Sequence, residues 1–470
     1  MKDPLRDGTT TEDSRRRSTH LKILVMSFRF PPYQSVGAVS VGKTVKYLVA
    51  LGHDVRVVTA RDQQVPATLP IEMDPRSMVA TRWLNPMRLA EAVAGGRNRV
   101  AQTGFSAGSR NDRLVHWVGN VYRSVMIPDT EIGWGWPAFR AGNRLAAGWR
   151  PDVIYASAPP YTALLAARAV ASRSGIPWVA GLRDLWVDYP RHGSYLTRLD
   201  RALESRVLGT AAGAVVTTEE SAEVIRARYD MSVAAVMNGY DPDDLRERTL
   251  ESSPGELRIV YTGILMHDKR DPSPLFHAIR ELRDEGRTVI ADFFGRDAAI
   301  AAKAANHAGV GNLVSDKGAV PYEASVQAQR DADVLLLLQS NNPAERHTCP
   351  AKLFEYAAAR RPVLCIGPDD GVVARLVGEF GMGVVLQRPD DIARELRRLL
   401  DVKAHAGRIP DVAPEPPEEL SRVRQVEKLA RFLADVVRSC PSPPRSGRRI
   451  RRWRVPNRKA TFRDAEAQRD

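Results

Sequence analysis

The chain has 470 residues, 43% of them hydrophobic, enough for two substantial domains with real cores. No apolar run nears the roughly twenty residues of a transmembrane helix, and Cys349, Cys365 and Cys440 show neither metal nor disulfide spacing, which fits a reducing cytosol. The net charge is +13, and residues 441–470 carry +7 of it (ten Lys/Arg against three acids), so the basic character is largely that of a tail.

Residues 1–20 are polar and charged, with Arg15, Arg16 and Arg17, and read as a disordered N-terminus without a secretory signal. Lys22 to Met26 is the first short buried strand. A loop with Pro31, Pro32 and Gly37 follows, then a helix from Val39 to Leu51 that stops at Gly52. Asp54 to Thr59 is the next strand. This β-loop-α-β order is the unit of a parallel, doubly wound sheet.

Residues 61–150 are less regular. Within them Leu114, Trp117, Val118, Val121 and Val125 form an apolar helical stripe, a core face or a membrane- or acceptor-facing helix. Alternation resumes with a strand at Asp152–Ala156, a helix at Tyr161–Arg173 and a strand at Pro177–Leu182. A helix at Leu199–Leu208 and strands at Gly213–Thr217 and Val233–Met237 complete a first domain, 21–245. The polar stretch from Arg246 to Gly255 reads as a linker.

A second α/β series fills 255–415. Its strands are expected at Leu257–Tyr261, Thr288–Phe294, Leu313–Ser315, Val334–Leu338, Val363–Ile366 and Gly383–Leu386, with helices at Ser273–Glu285 and Tyr322–Ala328. The final amphipathic helix occupies 416–439. The tail, 440–470, with Pro441, Pro443 and Pro444, reads as disordered. Its Arg448 to Arg454 run suits an anionic membrane surface, nucleic acid or plain solvation.

The most informative segment is Cys349-Pro350-Ala351-Lys352-Leu353-Phe354-Glu355-Tyr356. Pro350 suits the first turn of a helix, where its missing N–H costs nothing. Such a start offers free amides and positive dipole to a phosphate. Glu355, about one turn further, is placed for a pair of sugar hydroxyls; on its own it also reads as an exposed glutamate on an ordinary helix.

Gly37 to Thr44 formally matches GxxxxGK[ST], the phosphate-binding P-loop. About ten residues separate it from the preceding strand, and β-branched side chains interrupt it. The alternative reading has Gly37 shaping a loop at a cleft mouth, with Lys43 and Thr44 on the helix. In the second half Gly263 ends a strand and permits close backbone approach, and Lys269 and Arg270 follow as cations for a diphosphate. Gly295 and the Gly318-Ala319-Val320 turn end strands at the same sheet edge, where open α/β sheets bind ligands. In the first half Asp184 follows a strand. It is a candidate acid/base or acceptor-hydroxyl ligand, or else half of a structural Arg183–Asp184 charge cluster.

Taken together the motifs resemble the retaining glycosyltransferases of family four, from about Lys22 to Val437. The resemblance is carried by Phe30-Pro31-Pro32 with Gly37, Gly52-His53-Asp54-Val55, Ser157-Ala158-Pro159-Pro160, Pro177-Trp178-Val179 and Leu182-Arg183-Asp184-Leu185-Trp186. It continues through Asn238-Gly239-Tyr240-Asp241, Tyr261-Thr262-Gly263, Lys269-Arg270 and Pro350 to Tyr356. It implies an α/β fold of two Rossmann-like domains facing a central cleft, of the B type, whose last helix has the option of crossing back to the first domain.

It further implies that Glu355 holds the ribose of a nucleotide sugar, that Lys269 binds its diphosphate, and that Gly37 belongs to a loop closing on the donor phosphates. Asp184 or Arg183 falls near the transferred sugar. Two positions depart from the pattern. His347 stands where the first motif glutamate usually sits, at the donor sugar, and Ile264 replaces an arginine, which shifts the diphosphate role toward Lys269 and Arg270.

The expected activity is transfer of a hexosyl unit, with retention, from a nucleoside-diphosphate sugar to a glycan or lipid-linked acceptor. The setting is surface polysaccharide synthesis, of lipopolysaccharide or exopolysaccharide type. Lys269, Arg270 and Asp184 would serve the chemistry. Gly37, Gly263, Gly295, Val320, His347, Pro350, Lys352 and Glu355 would hold the donor. No metal, cofactor or nucleic acid is expected, and the location is cytoplasmic, with peripheral docking on the inner membrane face through the basic tail. The rivals are a nucleotide-sugar epimerase or hydrolase on the same fold, and a P-loop NTPase or nucleic-acid-associated protein.

Overall fold

The computed structural model describes residues 20–63, 65–84, 126–188, 194–249, 253, 255–265 and 270–440. Lys269, the tails and nearly all of the 112–127 stripe lie outside the described residues.

Two parallel sheets organise the chain. The first is built from β1 (Lys22–Ser27), β2 (Asp54–Ala60), β3 (Met78–Thr81), β4 (Val153–Ala158), β5 (Trp178–Leu182), β6 (Gly213–Val216) and β7 (Val233–Ala235). The second holds β8 (Glu256–Thr262), β9 (Thr288–Phe294), β10 (Val314–Gly318), β11 (Val334–Leu338), β12 (Val363–Ile366) and β13 (Gly383–Leu386). Their orders are β3-β2-β1-β4-β5-β6-β7 and β10-β9-β8-β11-β12-β13. Both reverse direction beside their first strand, so each has a switch-point crevice at its carboxyl edge.

The strands read as near-continuous apolar runs because helices cover both faces. The helices are α1 (Val36–Ala50), α2 (Gly135–Gly148), α3 (Thr162–Ser174), α4 (Ser194–Leu208), α5 (Glu219–Arg228) and α6 (Ser273–Asp284). They continue with α7 (Ala298–His307), α8 (Tyr322–Asp331), α9 (Lys352–Ala359), α10 (Val372–Glu379), α11 (Pro389–Ala406) and α12 (Arg422–Ser439). Each sheet is sandwiched between two apolar clusters. This is the expected pair of Rossmann-like domains, and β3 and α2 show that the described parts of 61–150 are more regular than their sequence suggests.

The last helix does cross back. Val426, Leu429, Leu433 and Val436 of α12 are buried with Val41, Val45 and Leu48 of α1. The two connections between the domains run side by side: Tyr240 N–H donates to Leu420 O at 2.9 Å and Arg422 N–H to Tyr240 O at 2.6 Å. Among the described residues no helix is long and apolar enough to cross a membrane.

Candidate functional site

A cleft of about 740 Å³ separates the domains. Arg29, Gly37, Glu131, Arg183 and Asp184 line its first-domain wall, and Thr348 to Ala351 line the other. Gly37, Asp184 and Pro350 are thus brought to one space. Gly263, Gly295, Val320, His347, Lys352, Glu355 and Arg270 are not part of this lining.

On the second domain the strand-end glycines stack. Gly263 N–H donates to Phe294 O and Gly295 N–H to Gly318 O, both at 2.8 Å. Gly295 has φ +151°, and a Cβ there would lie 2.1 Å from Gly263 O, so only glycine lets the two turns meet. Val320 is half-buried just beyond β10.

Lys352 opens α9 beside this edge. Its Nζ lies 3.8 Å from the centre of the Tyr261 ring, and a Cβ on Gly263 would stand 3.0 Å from it. The nitrogen is buried and has no hydrogen-bond partner. Burial, with Arg270 nearby, holds its pKa well below the usual lysine range, against the pull of Glu355. Pro350 stands two residues ahead of Lys352, outside the helix rather than in its first turn; its carbonyl accepts from Leu353 N–H at 3.0 Å. Arg270 stays by the same turn, with Nη1 donating to Ile264 O at 2.8 Å.

Glu355 is on the same face of α9, three residues on. Its Oε2 accepts from Gln329 Nε2 at 2.9 Å, and Gln329 also donates to Thr262 Oγ1 at 3.0 Å. Burial pushes the carboxyl pKa up, opposed by the Gln329 bond and Lys352. The carboxyl borders a cavity of about 20 Å³ with Tyr322 and Asp244, enough for about one water. It is therefore not the exposed glutamate of the ordinary-helix reading. His347 bridges the domains through its backbone: its carbonyl accepts from the Thr218 hydroxyl at 2.9 Å, while Nε2 is buried and unpartnered.

On the first domain, Gly37 lies in the first turn of α1 and not in a loop. Ser35 caps this helix, accepting from Ala38 N–H at 3.1 Å. A Cβ at Gly37 would sit 2.1 Å from Arg183 Nη1, so the missing side chain admits the guanidinium. Arg183 forms no ion pair with Asp184; it donates to the carbonyls of Ala158 and Pro159 instead. Asp184 is exposed, and desolvation by the surrounding walls still pushes its pKa up, against Arg183.

The P-loop reading fails on geometry. Gly37, Gly42, Lys43 and Thr44 all lie within α1. Lys43 Nζ is held by Asp241 at 2.5 Å, Glu72 at 3.1 Å and Asp244 at 3.3 Å, and Thr44 bonds back to Ser40 O. Asp244 also accepts from the Tyr322 hydroxyl at 3.0 Å, so this cluster ties α1 to α8 across the hinge.

Sequence reasoning missed Arg29, Glu131, Gln329, Tyr322 and Asp244. Gln329 and Tyr322 stand far along the chain from Glu355, whereas Arg29 and Asp244 flank the Phe30-Pro31-Pro32 and Asn238 to Asp241 motifs without belonging to them. Among the described residues no group of three or more His, Cys, Asp or Glu side chains is arranged to hold a metal ion.

Residues 37–239 match the model of the glycosyl transferase 4-like domain. No curated protein matches the chain. Among solved structures it is similar to sucrose-phosphate synthase from Thermosynechococcus elongatus, at 14% identity over 89% of this chain and 98% of that one, with a TM-score of 0.57. The lipopolysaccharide outer core galactosyltransferase WaaB, in its apo form, is 14% identical over 88% and 99%, with a TM-score of 0.50. A protein described as a UDP-N-acetylglucosamine 2-epimerase from Listeria monocytogenes is 12% identical over 88% and 95%, with a TM-score of 0.50. At these identities the structures establish the fold alone. The matched domain bears out the glycosyltransferase resemblance over residues 37–239, and the solved structures bear out the two-domain fold.

Proposed function

From a glycosyl transferase 4-like first domain facing a second Rossmann-like domain, we propose a retaining glycosyltransferase that moves a hexosyl unit from a nucleoside-diphosphate sugar to a glycan or lipid-linked acceptor. The observation that carries the reading is Lys352. A buried amine without a partner, at a strand-end glycine and the first turn of a helix, is a site waiting for an anion. A diphosphate there would receive its charge and the amides near Pro350. Glu355 would take the ribose hydroxyls once the water-sized space beside Tyr322 opens. Departure of the diphosphate would be eased by the same cation, since stabilising developing charge is commonly the largest catalytic term.

Asp184, on the first-domain wall of the cleft, would meet the acceptor hydroxyl or the transferred sugar. The surface-polysaccharide setting, like peripheral membrane docking through the basic tail, rests on the motif resemblance. A thermal-shift screen of nucleotide sugars tests the donor: a ligand bound only by the native state raises the midpoint by mass action. Release of free sugar or an epimer without acceptor would favour the epimerase or hydrolase reading.

A further inference from the structure

We infer that the crossover between the domains encloses a site for a halide-sized inorganic anion, such as chloride, held by Arg422 and Tyr155. The site plays no part in the glycosyl-transfer reading and does not depend on it.

A cavity of about 30 Å³ lies between α1, the carboxyl ends of β4 to β6 and the start of α12. Arg422, Tyr155 and Arg183 line it, and among the described residues no carboxylate does. That volume takes about two waters, and so a halide, but not a phosphate ester.

Arg422 is the first residue of α12, where the chain re-enters the first domain, and is only 6% exposed. Its Nε is buried without a partner, and its guanidinium forms no hydrogen bond or ion pair with the described residues. Burial pulls its pKa down, while Tyr322, Asp241, Tyr155 and Tyr47 act the other way through space. Glu355, on the opposite domain, also feels Arg422 through space. Neither carboxylate is free to serve it. Asp241 is bonded by Lys43, Lys46 and Tyr47, and Glu355 by Gln329. A buried charge left in this state is costly.

Tyr155 presents the second unmet donor. It is 8% exposed, and its hydroxyl makes no hydrogen bond to the described residues. Burial raises its pKa to about 12, opposed by Arg183 and Arg422, so the phenol has both guanidinium groups nearby. A Cβ at Gly181 would lie 2.6 Å from Tyr155 Oη, so the glycine lets the phenol lie across β5.

Other polar groups of the lining are already spent. The Ser40 hydroxyl donates to Asn238 Oδ1 at 2.7 Å, and Thr217 Oγ1 to Arg183 O at 3.2 Å. Arg183 itself donates to the carbonyls of Ala158 and Pro159. What remains is a guanidinium, which can only donate, and a phenol able to donate. Water would accept from Arg422 and leave its charge unmet. An anion accepts from both groups and offsets the charge, pinning the start of α12 to β4.

The test uses the full chain in sodium chloride, sodium bromide and sodium gluconate at equal concentrations. Chloride and bromide are expected to raise the thermal midpoint saturably relative to gluconate, since an ion bound only by the native state stabilises it by mass action. Anomalous diffraction from bromide-grown crystals should place a peak between Arg422 and Tyr155. Arg422→Met should abolish the halide-specific rise. Tyr155→Phe, which keeps the ring packing and decides the matter if Arg422→Met does not fold, should weaken halide affinity about tenfold, the worth of one charge-assisted hydrogen bond. Equal midpoints in halide and gluconate would overturn the inference. So would a halide effect of the same size in the variants, or a bromide map with water alone in the cavity.

Discussion

Lys352 and Tyr261 are joined by a cation–π contact, Nζ to ring centre 3.8 Å, and the lysine has no hydrogen-bond acceptor. The ring replaces only part of the lost hydration, because such contacts contribute roughly 0.5–2 kcal/mol. The ammonium form of Lys352 is thus destabilised in the unliganded protein, and an anion would relieve it. Removing it should stabilise the empty protein: Lys352→Met is expected to raise unfolding free energy by about 1–2 kcal/mol near neutral pH, as apolar replacement of buried charge commonly does. Urea denaturation measures it.

The depressed Lys352 pKa has a second consequence. Between that pKa and 10.5 the unfolded chain binds more protons than the folded one, so stability rises with pH across this window. An anion bound at Nζ would raise the pKa and draw in a proton. Titrating nucleotide in buffers of different ionisation enthalpy should show proton uptake within that window, and Lys352→Met should abolish it.

Glu355→Ala removes a carboxylate bonded to Gln329 at 2.9 Å. Donor affinity should weaken by about 1–3 kcal/mol through lost charge-assisted hydrogen bonds. Nucleotide-sugar titration against this variant checks it; unchanged affinity would remove Glu355 from the site.

Lys43 separates the hinge account from the NTPase account. Its amine neutralises Asp241, whose side chain is 2% exposed. Lys43→Ala should cost about 3 kcal/mol of stability, the low end for a broken buried pair because Lys46 still reaches Asp241 at 2.9 Å. Chemical denaturation provides the number, and an ATPase assay should find no activity to lose.

Glu204 gives a distinct pH signature. It is fully buried, accepts from Tyr229 OH at 3.0 Å and from the Val187 backbone, and has Asp188 and Arg228 nearby. Desolvation pushes its pKa from 4.5 to about 7. The folded state then holds the extra proton between these values, so stability falls as pH rises from 4.5 to 7, by at most about 3 kcal/mol. Glu204→Gln should flatten that slope in denaturation curves measured across the range.

The sequence revealed most of this fold where strands are buried on both faces. Val334 to Leu338 and Val363 to Ile366 are unbroken apolar runs between turn residues, and they are strands β11 and β12. Helix α7 was harder to see, since its alanine-rich sequence has little contrast between faces. The stripe of Ile392, Leu396, Leu399 and Leu400 in α11 is legible, yet a reading tuned to strands passes from β13 to Pro410 without it.

At the site, the Pro350 to Glu355 motif located α9 because proline, cation and carboxylate are local in sequence. The partners of Glu355 and Arg183 could not be read that way. Gln329 reaches Glu355, and Gly37 admits Arg183, only after the sheets have folded. Lys43 lies on the helix as the alternative to the P-loop expects, but its partners were hidden for the same reason: a motif match shows spacing, whereas its three carboxylates come from residues 72, 241 and 244.

The most direct test of donor binding at α9 is calorimetric titration of the best nucleotide sugar from the thermal-shift screen against the unaltered chain and Lys352→Met. The account predicts about tenfold or greater loss of affinity, roughly 1.4 kcal/mol, in a variant that is folded and more stable. Equal affinity in the two proteins would contradict it.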